Sequence, residues 1–397
     1  MHEINRREFI AIASLLGVGG VLAACSDLLE DEDDGAESAD AEPDERVIVI
    51  GAGVAGMSAG HLLAQRGIDF QILEAAPIPG GRVKRTDDFV DFPIPLGAEW
   101  LHAAESTLAQ IVNDGSVIIS QQMRGYLPSD PVAEVVDGEL VYDTMGTGFD
   151  DLKFVGSTWL DFFDEYIVPN IADRMVFDTQ IVAIDHGGEM VTLTDAEGGD
   201  WVADRVILTV PMKILQDGDI DFTPGLPESH VEALDRANIW TGMKVFLEFG
   251  EAFYPVFVEA GDGSADEQWA YYDAAYGQES DANVLGLFVV GEVAHRYQEL
   301  DPGDELRDFI LAELDALFDG AASRTYIQHM SQNWKNEPFV RAAYLADNAD
   351  PDISQILGQN IGPHVFTAGC SYTRSSDWSS VHTAVKAASD AIDEMFP

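Results

Sequence analysis

The chain opens with the pair Arg6-Arg7, then an apolar stretch from Phe9 to Ala24 that is rich in Gly and Ala and ends in small residues before Cys25. Residues 27–45 follow with 11 acids and no base, a composition that repels itself and cannot pack. Regular patterning starts at Arg46. The short β-branched run Val47–Ile50 predicts a buried strand. Ala55, Ala59, Leu62 and Leu63 then recur at helical spacing as far as Arg66-Gly67, and Ile68–Leu73 predicts a second strand that closes on Glu74. Farther on, the IVAID run from Ile181 and the segment Ala203–Val210 read as core strands, while Met243–Phe249 alternates as a strand around Lys244. Val365–Gly369 predicts one more strand, followed by a polar loop and a helix from about Ser379.

Between the first strand and its helix lies GAGVAG. Strand, glycine turn, helix, strand and acid make a dinucleotide-binding unit. Gly51 makes the tight turn, Gly53 lets the backbone approach a pyrophosphate, and Gly56 lets helix and strand pack closely. Val54 and Ala55 open the helix whose N-terminus faces the phosphates. Glu74, 23 residues after Gly51, is placed to accept hydrogen bonds from a ribose. This unit by itself leaves NAD and FAD both open. It does set the class as α/β, and 397 residues with 46% apolar side chains allow a large core in two or three domains.

Charge narrows the partners. The balance is 21 Lys plus Arg against 71 Asp plus Glu, so a phosphate-backbone partner, which needs a basic face, is excluded. Without residues 1–45 the chain still has 58 acids and 19 bases, so the folded part itself is coated with negative charge. Such a surface suits folding in high salt and also gathers cationic substrates. Cys25 and Cys370 are the two cysteines; they support neither a disulfide framework nor a Cys-based zinc cluster within one chain, and no metal ligand set is expected. Residues 1–24 read as an export signal of twin-arginine type, with Leu22-Ala23-Ala24-Cys25 as a lipobox. Cys25 would then be the lipidated mature N-terminus, followed by an acidic tether to residue 45, and the protein would sit on the outer face of the cell membrane or in the periplasm. A single transmembrane anchor is the competing reading, although 16 residues from Phe9 are short for a span.

The dinucleotide unit is followed by Gly80-Gly81-Arg82 and by PLGAEWLH at 95–102. Together with the LEA at 73–75, these segments resemble the flavin-containing amine oxidase family, and the similarity runs from Val47 to the end. The resemblance implies FAD. It places Gly81 and Arg82 against pyrophosphate and flavin, Gly97, Ala98, Glu99 and Trp100 beneath the flavin, Ile181 at the adenine, Val210 in a TVP turn, and Gly369, Cys370 and Val381 at the second flavin-binding motif. Two positions depart from the pattern: Cys370 replaces an acid and Thr383 replaces a glycine. Lys244 would hold a water on flavin N5, and as a residue read alone it is an ordinary strand lysine. Trp334 and Tyr344 would wall the cavity in front of the flavin. Ala343 stands where covalently flavinylated members carry Cys, which implies noncovalent FAD. Ser380 falls where monoamine oxidases place a cage tyrosine and where polyamine oxidases carry a small hydroxyl residue. His102 matches a His or Glu near the substrate of polyamine oxidases, and read alone it is a polar sensor or a structural histidine.

The expected architecture is an FAD-binding Rossmann-like domain (46–90, 172–235 and 358–397) with an inserted α+β substrate domain (91–171 and 236–357). The expected function is FAD-dependent amine oxidation. Hydride passes from the amine α-carbon to flavin N5, the imine is hydrolysed, and O2 is reduced to H2O2, with polyamine favoured over monoamine. Partners are then a small-molecule amine and dioxygen, with membrane contact only through the lipid anchor. The rivals are an L-amino-acid oxidase, which needs an arginine such as Arg124 or Arg341 for the substrate carboxylate, another FAD dehydrogenase of the superfamily, and a surface-tethered binding protein without catalysis.

Overall fold

The computed structural model describes residues 45–260, 266–375 and 377–397. The segment expected to be an export signal, Cys25 and all but the last residue of the expected acidic tether lie outside the described residues.

Strand Arg46–Ile50 forms the middle of a five-stranded parallel sheet, in the order 175–176, 69–73, 46–50, 205–208, 365–367. Its apolar run is continuous because both faces are covered. Val47 and Val49 point to a core built with helices Val54–Gln65 and Val381–Met395, while Ile48 and Ile50 point to the opposite side, against Ile181, Ile184, Val191 and Leu193. The latter four belong to a four-stranded sheet of strands 200–203, 191–195, 181–185 and 221–223. The segment read as one strand, Ala203–Val210, is divided. Ala203 ends a strand of the smaller sheet and Arg205–Leu208 enters the parallel sheet, with Asp204 at the corner donating to Arg46 O.

The second large element is a seven-stranded sheet in the order 326–333, 242–249, 283–291, 267–273, 257–260, 131–136, 139–144. The strand Gly242–Phe249 alternates as expected. Met243, Val245, Leu247 and Phe249 enter a core with helices Glu292–Gln298 and Asp304–Leu317, and Phe246 packs on the other face with Phe257 and Tyr272. Lys244, also on that second face, is only 3% exposed. A small three-stranded sheet joins Trp100–Leu101, Leu152–Val155 and Gln122–Gly125, and pairs Trp100 with Lys153.

Candidate active site

A cavity of about 1180 Å³ runs from the glycine turn at Gly51 to the inner face of the seven-stranded sheet. At its nucleotide end, Gly51 adopts φ +103°, a conformation open chiefly to glycine. A Cβ on Gly56 would lie 1.8 Å from Gly51 O, so helix and turn touch there by backbone alone, whereas a Cβ on Gly53 would meet nothing within 4 Å. The first turn of helix Val54–Gln65 has no acidic side chain. Glu74 accepts from the Ala52 and Ala76 N–H groups, and burial pushes its carboxyl above the ordinary value. Open backbone donors at a helix N-terminus, a glycine pointing into free space and a carboxylate one strand away suit a pyrophosphate and its ribose. A second helix N-terminus, that of Val381–Met395, reaches the same cavity through Ser380, Val381 and Ala384. The residues present therefore fit an FAD laid between the two helix ends.

Of the residues singled out in the sequence, Gly51, Gly53, Val54, Ala55, Glu74, Gly81, Arg82, Gly97, Ala98, Glu99, Trp100, His102, Ile181, Val210, Lys244, Trp334, Tyr344, Gly369, Cys370, Ser380 and Val381 all line this one cavity. Gly56 lies behind it as a packing residue, and Cys25 is outside the described residues. Arg82 donates to Ala343 O and, at 3.2 Å, to Cys370 Sγ. The thiol that replaces the expected acid is thus tied to the arginine of the GGR segment. Thr383 is buried, and its hydroxyl accepts from Ser380 N–H at 3.1 Å, supplying the half of a capping box with Ser380 that a glycine there could not. Trp334 is anchored by Nε1–H to Leu96 O at 3.1 Å, and its ring lies 2.9 Å from where a Gly97 Cβ would stand. His102 Nδ1 is 2.9 Å from Asp151 Oδ1.

Glu99 behaves differently from expectation. Its segment lines the cavity, but the carboxylate is directed into a buried ionic cluster. Oε2 accepts from Lys244 Nζ at 2.7 Å and from Tyr272 OH at 2.6 Å, and Oε1 faces Lys153 Nζ at 3.1 Å. Burial pushes the Glu99 carboxyl up, but the two ammonium groups and their hydrogen bonds outweigh it and hold the carboxyl below its ordinary value. Burial also pulls the Lys244 ammonium below its usual value, opposed by Glu99.

The far wall was not legible from motifs. Lys244, Phe288, Ala270, Glu259 and Glu134 occupy matching positions on five consecutive strands of the seven-stranded sheet, and all five line the cavity. At about 4.8 Å per strand, Glu259 stands roughly 14 Å from Lys244. Burial, reinforced by Glu134, pushes the Glu259 carboxyl to about 7. Between the ends lie the rings of Trp100, Phe257, Tyr272 and Phe288, with Trp100 and Tyr272 centroids 5.0 Å apart. Another carboxylate of the cavity lining, Asp347, accepts from Gln268 Nε2 at 2.6 Å, and burial lifts it to about 6. One signal in the sequence pointed to Lys153: it interrupts the apolar Leu152-Lys-Phe154-Val155 just as Lys244 interrupts its own strand, in a chain with six lysines.

Comparison with known proteins places this geometry among relatives. The model of the flavin containing amine oxidoreductase family matches residues 163–395, and that of the NAD(P)-binding Rossmann-like domain matches residues 49–114. A polyamine oxidase of Oryza sativa subsp. japonica is 23% identical over 385 residues, covering 76% of this chain and 77% of its own. A polyamine oxidase of Arabidopsis thaliana is 24% identical over 385 residues, covering 76% and 78%. Among solved structures, a putrescine oxidase bound to putrescine superposes with a TM-score of 0.71 at 15% identity, over 88% of this chain and 99% of that one.

Proposed function

This chain belongs to the flavin containing amine oxidoreductase family and is an amine oxidase that holds FAD noncovalently, and from that premise we propose that its substrate is a linear polyamine. FAD, when bound, supplies the hydride acceptor: the amine α-carbon is oxidised, the imine is hydrolysed, and dioxygen takes the two electrons to give H2O2. The observation that carries the choice of substrate is the row from Lys244 to Glu259. Glu259, roughly 14 Å from the lysine across an aromatic floor with Glu134 one strand beyond, suits a chain with a second cation far from the carbon being oxidised. A monoamine has nothing to place there. Asp347, beside Gln268 and Tyr344, is the corresponding partner for a shorter diamine.

The chain's own residues position and desolvate. Trp334 and Tyr344 enclose the reacting amine, Lys244 presents an N–H to the cavity, and the rings between exclude water along the methylene chain. The amino-acid oxidase alternative lacks support, because the basic groups lining the cavity are already engaged: Arg82 with Ala343 O and Cys370, Lys84 with Glu337 at 2.6 Å, Lys244 with Glu99, and His102 with Asp151. Arg341 instead pairs with Asp217 and Asp219, and neither it nor Arg124 lines the cavity.

The test is anaerobic bleaching of the flavin bands by spermine, spermidine, putrescine and benzylamine. Fastest bleaching by spermine is expected. Equal bleaching by benzylamine would refute the polyamine assignment, and putrescine ahead of spermine would move the distal contact to Asp347. The N-terminal reading belongs to the same proposal: export, and tethering through a lipidated Cys25. An intact mass of the mature protein that lacks an acylated Cys25 would reject the tether.

A further inference from the structure

Lys153 is one of the most deeply buried charged groups among the described residues, with a side chain 2% exposed, and it does not line the cavity. Its ammonium has three donors and three acceptors within reach: Glu99 Oε1 at 3.1 Å, Ala274 O at 2.9 Å and Asp273 O at 3.2 Å. Glu99 accepts from Lys244 and Tyr272 on Oε2, while its Oε1 faces Lys153 in an ion pair without a hydrogen bond. The two lysines and the hydrogen bonds from Lys244 and Tyr272 favour its ionised form. Lys244 gives one proton to Glu99 and one, at 3.4 Å, to Pro95 O. Its third donor is left for the cavity, beside the ring of Trp100.

Two lysines thus bracket the Glu99 carboxylate, and Lys153 also interacts with the Asp273 carboxyl. A single Lys–Glu pair would present the cavity with a near-neutral wall, and a second ammonium behind the carboxylate offsets the charge that Glu99 would otherwise cancel. We infer that Lys153 is a positioning residue that acts through Glu99, holding the carboxylate against Lys244 and adding positive charge behind the wall that faces the flavin. The inference rests on the reading of Lys244 as the residue that faces the cofactor. Positive charge close to the ring favours the reduced, more negative form of the cofactor.

The experiment measures the equilibrium between the FAD-loaded full-length protein and a reference dye of known potential at pH 7. Variants are Lys153→Met, Lys153→Gln, Lys153→Arg and Lys244→Met. Lys153→Gln keeps donors for the Asp273 and Ala274 carbonyls and serves if Lys153→Met does not fold. Removing the charge should lower the ratio of reduced to oxidised FAD about tenfold, equivalent to about 30 mV for a two-electron couple, and Lys153→Arg should restore it. A ratio within about twofold of the parent in the Lys153→Met or Lys153→Gln protein overturns the inference. If Lys244→Met does shift the ratio in that case, the placement of Lys244 survives and only the role of Lys153 falls. If Lys244→Met also leaves the ratio unchanged, both fall together.

Discussion

Glu259 is the residue whose chemistry bears most directly on substrate choice. Its carboxyl is lifted to about 7 by burial and by Glu134 beside it in register, so it changes charge within the working pH range. A distal ammonium, with a proton affinity like that of lysine, stays charged there. Between pH 8 and pH 6 Glu259 gains a proton and loses its attraction for that ammonium, so KM for spermine should rise as pH falls through 7. Glu259→Gln should show a KM about tenfold higher at pH 8, the scale of one charge-assisted hydrogen bond, and little further change toward pH 6. Steady-state kinetics of the two proteins across that range check this, and an unchanged KM in the variant would remove Glu259 from the substrate site. At the same scale, the identities of Gly51, Gly56, Glu74, Lys244 and Trp334 were legible from the chain, since each belongs to a short motif with a reason for its residue type. Glu99 was legible as a position and not as a role. Its neighbours Gly97 and Trp100 tie it to the cavity, whereas its charge partners come from residues 153 and 244.

Among the elements, the strands and helices around the nucleotide end follow from local pattern. Val47–Ile50 and Asp69–Leu73 pair in parallel with a helix between them, so every contact that defines the unit lies within about thirty residues. The helix Val381–Met395 was likewise readable, expected from about Ser379, and Ser380 and Thr383 form a capping box at its entry. The division of Ala203–Val210 between two sheets was not readable, because an apolar run carries no mark of where the chain turns from one sheet to another. The seven-stranded sheet shows the limit more sharply. Its strands span residues 131 to 333, and its order brings strand 131–136 beside 257–260 in parallel. Alternation predicts which face each residue takes, but the choice of neighbour depends on pairing across long loops. The row that joins Lys244 to Glu259 exists only in that pairing.

At the scale of the whole molecule, residues 46–397 carry 58 acids against 19 bases. Repulsion among surface carboxylates is screened over about 10 Å at 0.1 M salt and about 3 Å at 1 M. The midpoint of thermal unfolding should therefore climb between 0.1 M and 2 M KCl, and a midpoint that is flat or falling would show that the acidic coat does not limit stability. Residue order alone was enough for the class, the cofactor end and the family, because a glycine turn, a helix start and an acid act through backbone geometry that neighbours along the chain create. The substrate end came from folding in three dimensions. Residues 99, 153, 244 and 272 meet in one ionic cluster, and residues 134, 259 and 347 meet one cavity, because sheet register and burial bring distant segments together. Only in that low-dielectric setting do their charges acquire the strengths on which the chemistry depends.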